Sequence, residues 1–175
     1  RSRGSDDEGK VPLSQVQGGG IDPGAAGATE AEGPLTGSPR EQADRLFNRI
    51  MTERENGDTT RAKFFLPMGI QAYEMAGDLD PDGLYHLSLL HAFGGDYKAA
   101  RTTAERILAT QPNHLLGLSA AASAARGAGD NAAARKYAQH FLSVFDAESK
   151  SDKEEYRDHA RMLPELKTEA QTLAK

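Results

Sequence analysis

From about residue 41 onward, apolar side chains recur at three- and four-residue intervals; before that point they form no such series. Leu46, Phe47 and Ile50 share one face of a helix expected over about Glu41–Arg54. Gly57-Asp58 then breaks the pattern and opens a second helix carrying Ala62, Phe65 and Leu66. Pro67 has no backbone donor and Gly69 weakens the turn after it, so that helix is expected to be longer than its neighbours or broken, with a kink near Leu66–Gly69. A third helix has Leu84, Leu87, Leu90 and His91 on one face, with Asp82 as its expected cap and Gly94-Gly95 as its end. Asp96 caps a fourth helix that turns Ala100, Ala104, Ile107 and Leu108 inward and stops at Pro112. Near the C-terminus, Ser151-Asp152-Lys153-Glu154 has the spacing of a capping box. It predicts a polar helix to about Met162, with Tyr156 and Met162 inward. Pro164 fits the first turn of a last helix over Glu165–Leu173. The sum is seven or eight helices and no strand.

The pattern repeats. Gly95-Asp96-Tyr97-Lys98-Ala99-Ala100-Arg101 returns 34 residues later as Gly129-Asp130-Asn131-Ala132-Ala133-Ala134-Arg135. At the same offset Ala104 pairs with Ala138, Ile107 with Phe141, Leu108 with Leu142, Leu84 with Leu118 and Leu87 with Ala121. Small residues at 100, 104, 134 and 138 let two helices approach closely, which is a packing requirement. Residues 81–114 resemble the tetratricopeptide repeat family through Leu84, Leu87, Ser88, Gly95-Asp96-Tyr97, Ala100 and Pro112. Residues 115–148 follow by spacing, with Asp146 where that family has its closing proline, and residues 40–78 read as a degenerate first unit. The resemblance implies an all-α fold: a right-handed α-solenoid of about three helix hairpins. Residues 151–175 would then be the polar element that covers the last apolar face.

Composition separates the two ends of the chain. Residues 1–39 hold 9 of the 18 glycines and 4 of the 8 prolines but none of the 11 Phe and Tyr residues. A stretch that cannot bury apolar surface cannot offset the entropy of ordering it, so 1–39 are expected to be a disordered linker ahead of a helical domain over 40–175. A Gly-, Pro- and Ser-rich acidic stretch, beginning at Arg1 and not at Met, is what a spacer behind an anchor or another domain looks like. The corresponding expectation for location is the bacterial periplasm, or a membrane reached through a segment upstream. The remaining 136 residues carry 18 basic and 20 acidic side chains with the signs interspersed, which gives no electrostatic footprint for nucleic acid. The longest apolar run, Phe64–Ile70, is too short to cross a bilayer and is expected to be core.

The sequence has no phosphate loop, no nucleophile elbow, no His-Glu-x-x-His pair and no cysteine. The histidines are His86, His91, His114, His140 and His159; no two lie three or four apart, so no helix offers a two-histidine ligand face. His91 reads as a packing histidine. Asp78-Leu79-Asp80-Pro81-Asp82-Gly83 has two readings, a capped joint between repeat units or the start of a calcium loop. In the second reading the closing glutamate of such a loop would fall at Leu89. The charged run Lys150–Arg161 reads as a solvated helix face.

The expected function is therefore that of a protein–protein interaction or scaffolding module without a cofactor or catalysis, as a subunit or assembly factor of a larger complex. In the family's register the first helix of each pair lines a concave groove. That register implies a groove of Asp44, Phe47, Asn48 and Met51, then Tyr85, His86, Leu89 and Phe93, then Ser119, Ser123 and Arg126, fit for a peptide with apolar anchors. The groove is either open or covered in part by the terminal helix. Two other expectations stand beside this one: a homo-oligomer packed through the alanine-rich stretch Ala120–Ala125, and a calcium-dependent protein.

Overall fold

Three sharp corners of one construction set the path of the chain. At Gly57-Asp58, Gly95-Asp96 and Gly129-Asp130 the glycine has φ of +81°, +82° and +82°. That left-handed backbone is one only glycine adopts without strain. The aspartates that follow share φ/ψ values within a degree of −85°/72°, and each accepts a hydrogen bond from the backbone N–H three residues on. Each aspartate N–H also bonds back across the corner, Asp58 to the Glu53 carbonyl, Asp96 to that of His91 and Asp130 to that of Ala125. One helix is thus ended and the next begun within three residues.

The computed structural model describes residues 36–175, and among them are eight helices and no strand. They are α1 (Pro39–Glu55), α2 (Thr59–Met75), α3 (Pro81–Phe93), α4 (Tyr97–Thr110), α5 (Leu115–Gly127), α6 (Asn131–Glu148), α7 (Glu154–Asp158) and α8 (Leu163–Leu173). Helices adjacent in sequence pack together from α1 to α6. The first members of successive pairs also touch, α1 with α3 and α3 with α5, and α8 lies against α6 and α5. The all-helical expectation holds. The expected disordered segment lies outside the described residues up to 35, and its last residues belong to the helical part. Ser38 and Glu41 form a reciprocal capping box at the start of α1, with Pro39 in its first turn. No described helix is long and apolar enough to cross a membrane.

α3 and α5 are buried on nearly every side, because each has a helix before it, a helix after it and the neighbouring pair against it. This corrects one expectation. Ala120, Ala121, Ala122, Ala124 and Ala125 are interior residues, so the stretch 120–125 is not a surface for a second copy of the chain. The Phe64–Ile70 run divides: Leu66 and Gly69 are buried, while Phe64 is 69% exposed and Met68 also faces outward. The long α2 runs without a break through Pro67.

Three further local expectations need correction. The cap of α3 is Asp80, which accepts from the Gly83 N–H at 2.8 Å, and not Asp82, because Pro81 occupies the first helical position. The Ser151 capping box does not form. Its hydroxyl donates to the Glu148 carbonyl instead, and α7 is a five-residue helix starting at Glu154 without a side-chain cap. The charged run Lys150–Arg161 is only partly solvated, since Tyr156 within it is buried.

Gly69 has a role that differs from a weak helical turn. A Cβ there would stand 2.7 Å from Ile50 Cδ1 and 3.2 Å from Leu90 Cδ1, both on fully buried side chains. Gly69→Ala gains helix propensity but overpacks the junction of α1, α2 and α3. We expect a net destabilisation on the order of 1–2 kcal/mol, read as a lower urea midpoint with an unchanged m-value.

Candidate functional site

The middle of each first helix faces a shared hollow. Phe47, Met51, Arg54 and Glu55 of α1, Tyr85 and Leu89 of α3, and Ser119, Ala120 and Ser123 of α5 wall a cavity of about 460 Å³. The far wall comes from the end of the chain, where His159, Met162, Glu165, Leu166 and Glu169 face the same space. Ser123 donates a hydrogen bond to Glu169 Oε1 at 2.8 Å across it. Six of the eleven residues expected in the groove therefore meet here: Phe47, Met51, Tyr85, Leu89, Ser119 and Ser123. Asn48 and Arg126 are exposed and do not line the cavity, and Phe93 sits aside with the Arg54 guanidinium 5.3 Å from its ring centroid.

Tyr85 and His86, expected in a groove either open or covered in part, are 1% and 8% exposed. The segment after α6 folds back over them. His159 packs edge-on against both rings at 5.3 and 5.4 Å. Seen from inside, Phe47 stacks on His86 with centroids 4.0 Å apart and planes 16° from parallel. His86 is thus turned out of the cavity and into a polar cluster at the start of α3.

That cluster is built from residues 40 to 159. Arg40 donates from Nε to both oxygens of Asp44 at 3.0 Å, from one terminal nitrogen to Asp80 Oδ1 at 2.6 Å, and from the other to Asp82 Oδ2 at 3.0 Å. Two carboxylates of the supposed calcium loop are thus engaged by Arg40, those of Asp80 and Asp82, and Asp80 also caps α3. Tyr73 donates its hydroxyl proton to Asp44 Oδ1 at 2.6 Å and also lies 3.0 Å from His86 Nδ1. With its one proton committed, the hydroxyl can only accept from His86, so Nδ1 carries a hydrogen. On the other side of the ring, His86 Nε2 faces Asp82 Oδ1 at 3.5 Å, and the same oxygen meets His159 Nε2 at 2.8 Å.

Burial alone would raise the Asp44 carboxyl, but hydrogen bonds from His86, Tyr73 and Arg40 outweigh it and hold the group at about 2. Burial works the same way on Asp82, and there the His159 hydrogen bond and the surrounding positive charge hold it below the ordinary carboxyl value. Both groups are anions at neutral pH. Burial, then the neighbouring Asp44, pushes the Tyr73 phenol up, so it stays a donor.

A second anchor ties the same terminal segment to α5. The Leu115 N–H donates to the Tyr156 hydroxyl at 2.9 Å, and that hydroxyl donates to Glu148 Oε1 at 2.7 Å. Fully buried His114 is the cap of α5. Its Nδ1 accepts from the Gly117 N–H, which fixes the neutral form with the proton on Nε2, 2.8 Å from Glu155 Oε1.

Sequence reasoning missed both anchors. His159 is 77 residues from Asp82, and Glu155 is 41 from His114. One signal was present: Asp82 and His86 stand four apart on one helix, a mixed pair that a search for paired histidines passes over. No protein-family model matches the chain, and no curated protein matches it.

Burial lowers the pKa of His114, against the opposing pull of Glu155. The unfolded chain then binds a proton before the native state does. Stability from this group is complete above about pH 6.5 and is lost as pH falls through the lowered native value. His114→Asn keeps a capping side chain without the titration. Urea unfolding at pH 7 and pH 5 should show a smaller loss of stability on acidification in the variant than in the wild type.

Proposed function

We propose that the chain is a helical-repeat binding module of the tetratricopeptide type, whose groove accepts a peptide segment with apolar anchors. The observation that carries this reading is the cavity of about 460 Å³, to which three successive first helices each contribute side chains. A ligand there would meet aromatic and aliphatic groups, Phe47, Met51, Tyr85 and Leu89, with hydroxyls and carboxylates at the margin.

Support for the repeat comes from the three equivalent Gly-Asp corners and from the contacts between alternate helices. A right-handed solenoid is the arrangement that such units give when stacked. Residues 151–175 then do two things, covering the last apolar face through Leu163, Leu166 and Ala170 and narrowing the groove from one side. We read the module as non-catalytic, a scaffold or assembly subunit, since the walls of its cavity are chiefly apolar.

Affinity capture from extract of the source cell, with the full chain as bait, tests the reading. The comparison bait is Met51→Glu, Ser123→Phe, which places a charge on one wall and fills space at another without touching a fully buried residue. A purified partner should bind the double variant at least about tenfold more weakly, the equivalent of 1.4 kcal/mol. Equal binding by both would move the interface off this groove.

A further inference from the structure

We propose that Asp82, His86 and His159 form a site for one divalent transition-metal ion, zinc by its chemistry, which pins the C-terminal segment to the start of α3. Among the described residues these three offer one ligand atom each, all within 4.8 Å of one another. Two imidazoles with one carboxylate oxygen are a donor set suited to zinc and not to magnesium or calcium. The site is independent of what the cavity binds.

Three features of the geometry lead to a cation. Asp82 divides its oxygens: Oδ2 is taken by Arg40, and Oδ1 alone faces the two histidines. His86 has its Nδ1 hydrogen committed to Tyr73, so the nitrogen aimed at Asp82 is Nε2, which in the neutral ring carries a lone pair and no hydrogen. A lone pair and a carboxylate oxygen then stand 3.5 Å apart, a spacing at which two ligand atoms can share one cation. A separation of 3.5 Å is close to the edge of a tetrahedral site, about 3.4 Å for ligand bonds near 2.05 Å.

Support behind the ligands points the same way. The chain of Asp44, Tyr73 and His86 is the outer-shell arrangement that orients a metal-bound imidazole, with its free N–H donated toward a carboxylate, here through a hydroxyl. Phe47 holds the ring plane by stacking. His159 must exchange its contact with Asp82 for a bond to the metal, which needs its hydrogen on Nδ1, a change of tautomer with no proton lost. Three protein ligands leave a fourth position for water. The charges around the site are Asp82 and Asp44 against Arg40, which also holds Asp80, so an added dication enters surroundings that are net negative.

The test uses the full chain, stripped with a chelator and dialysed, and Zn²⁺ alone as the probe. Isothermal titration at pH 7.5 should give one ion per chain with a dissociation constant of about 1 μM or below. At a hundredfold excess over that constant the Tm should rise by at least about 5 °C. His159→Ala and Asp82→Asn should each weaken binding more than about tenfold, and Tyr73→Phe by about tenfold through loss of orientation. His91→Ala and His140→Ala should leave it unchanged. Far-UV circular dichroism of each variant checks that the helices remain. Substitution by Co²⁺ supplies a readout that does not depend on folding, since intense visible absorption marks a four-coordinate site with nitrogen ligands. No zinc binding by the wild type overturns the proposal. Binding that survives in folded His159→Ala, or a weak cobalt spectrum like that of the aqueous ion, also overturns it.

Discussion

The Asp82 carboxylate divides its two oxygens between the beginning of the helical domain and its end. Oδ2 accepts from Arg40 of α1, and Oδ1 faces His86 of its own helix and His159 of the terminal segment. A half-buried anion is stabilised when its lone pairs are met, and here the partners come from three separate parts of the chain. Removing one of them would leave a charge exposed to a low dielectric, so the parts are held in register together. Arg40 extends the connection to Asp44 and Asp80, and Tyr73 brings in α2. The shape of the cavity follows, since its far wall is the segment that carries His159.

The same construction at three corners explains why such a connection falls where it does. Each Gly-Asp turn ends α1, α3 or α5 with nearly one backbone geometry, and α3 packs against both α1 and α5. Their N-terminal ends carry Arg40, Asp82 and His114, and the segment from Ser151 to Met162 meets two of those ends, through His159 at α3 and through Glu155 and Tyr156 at α5. Regular repetition in the helices thus supplies a row of docking points for an irregular terminal segment.

What the sequence made legible was local. Gly-Asp corners, helix-facing Leu and Ala positions and the helices they imply depend on neighbours a few residues away, and these were readable. The α3 cap was readable in principle, because Pro81 in the first helical position assigns the cap to the residue before it. The Ser151 box had the right spacing, yet a serine hydroxyl bonds a nearby carbonyl as readily as it caps, and Glu148 offered one. The alanine run of α5 suggested a surface because alanine is small. A helix with so few polar residues on any side is instead an interior helix. As for the candidate site, six of the expected groove residues meet at one cavity, but its far wall and both histidine–carboxylate contacts join residues 41 to 77 apart. Periodicity carries no information at that distance.

Whether the terminal segment is an integral wall or a loosely attached tail is best decided by native-state hydrogen exchange, residue by residue. The Leu115 amide is the most direct reporter, since its partner is the Tyr156 hydroxyl and not a helical carbonyl. The structure predicts that this amide and those in the second half of α8 open with the same free energy as the interior of α5, as one cooperative unit. Exchange of Leu115 and α8 near the unprotected rate, with α5 still protected, would contradict it: the segment would then leave the groove on its own, and the closed cavity would be only one of its states.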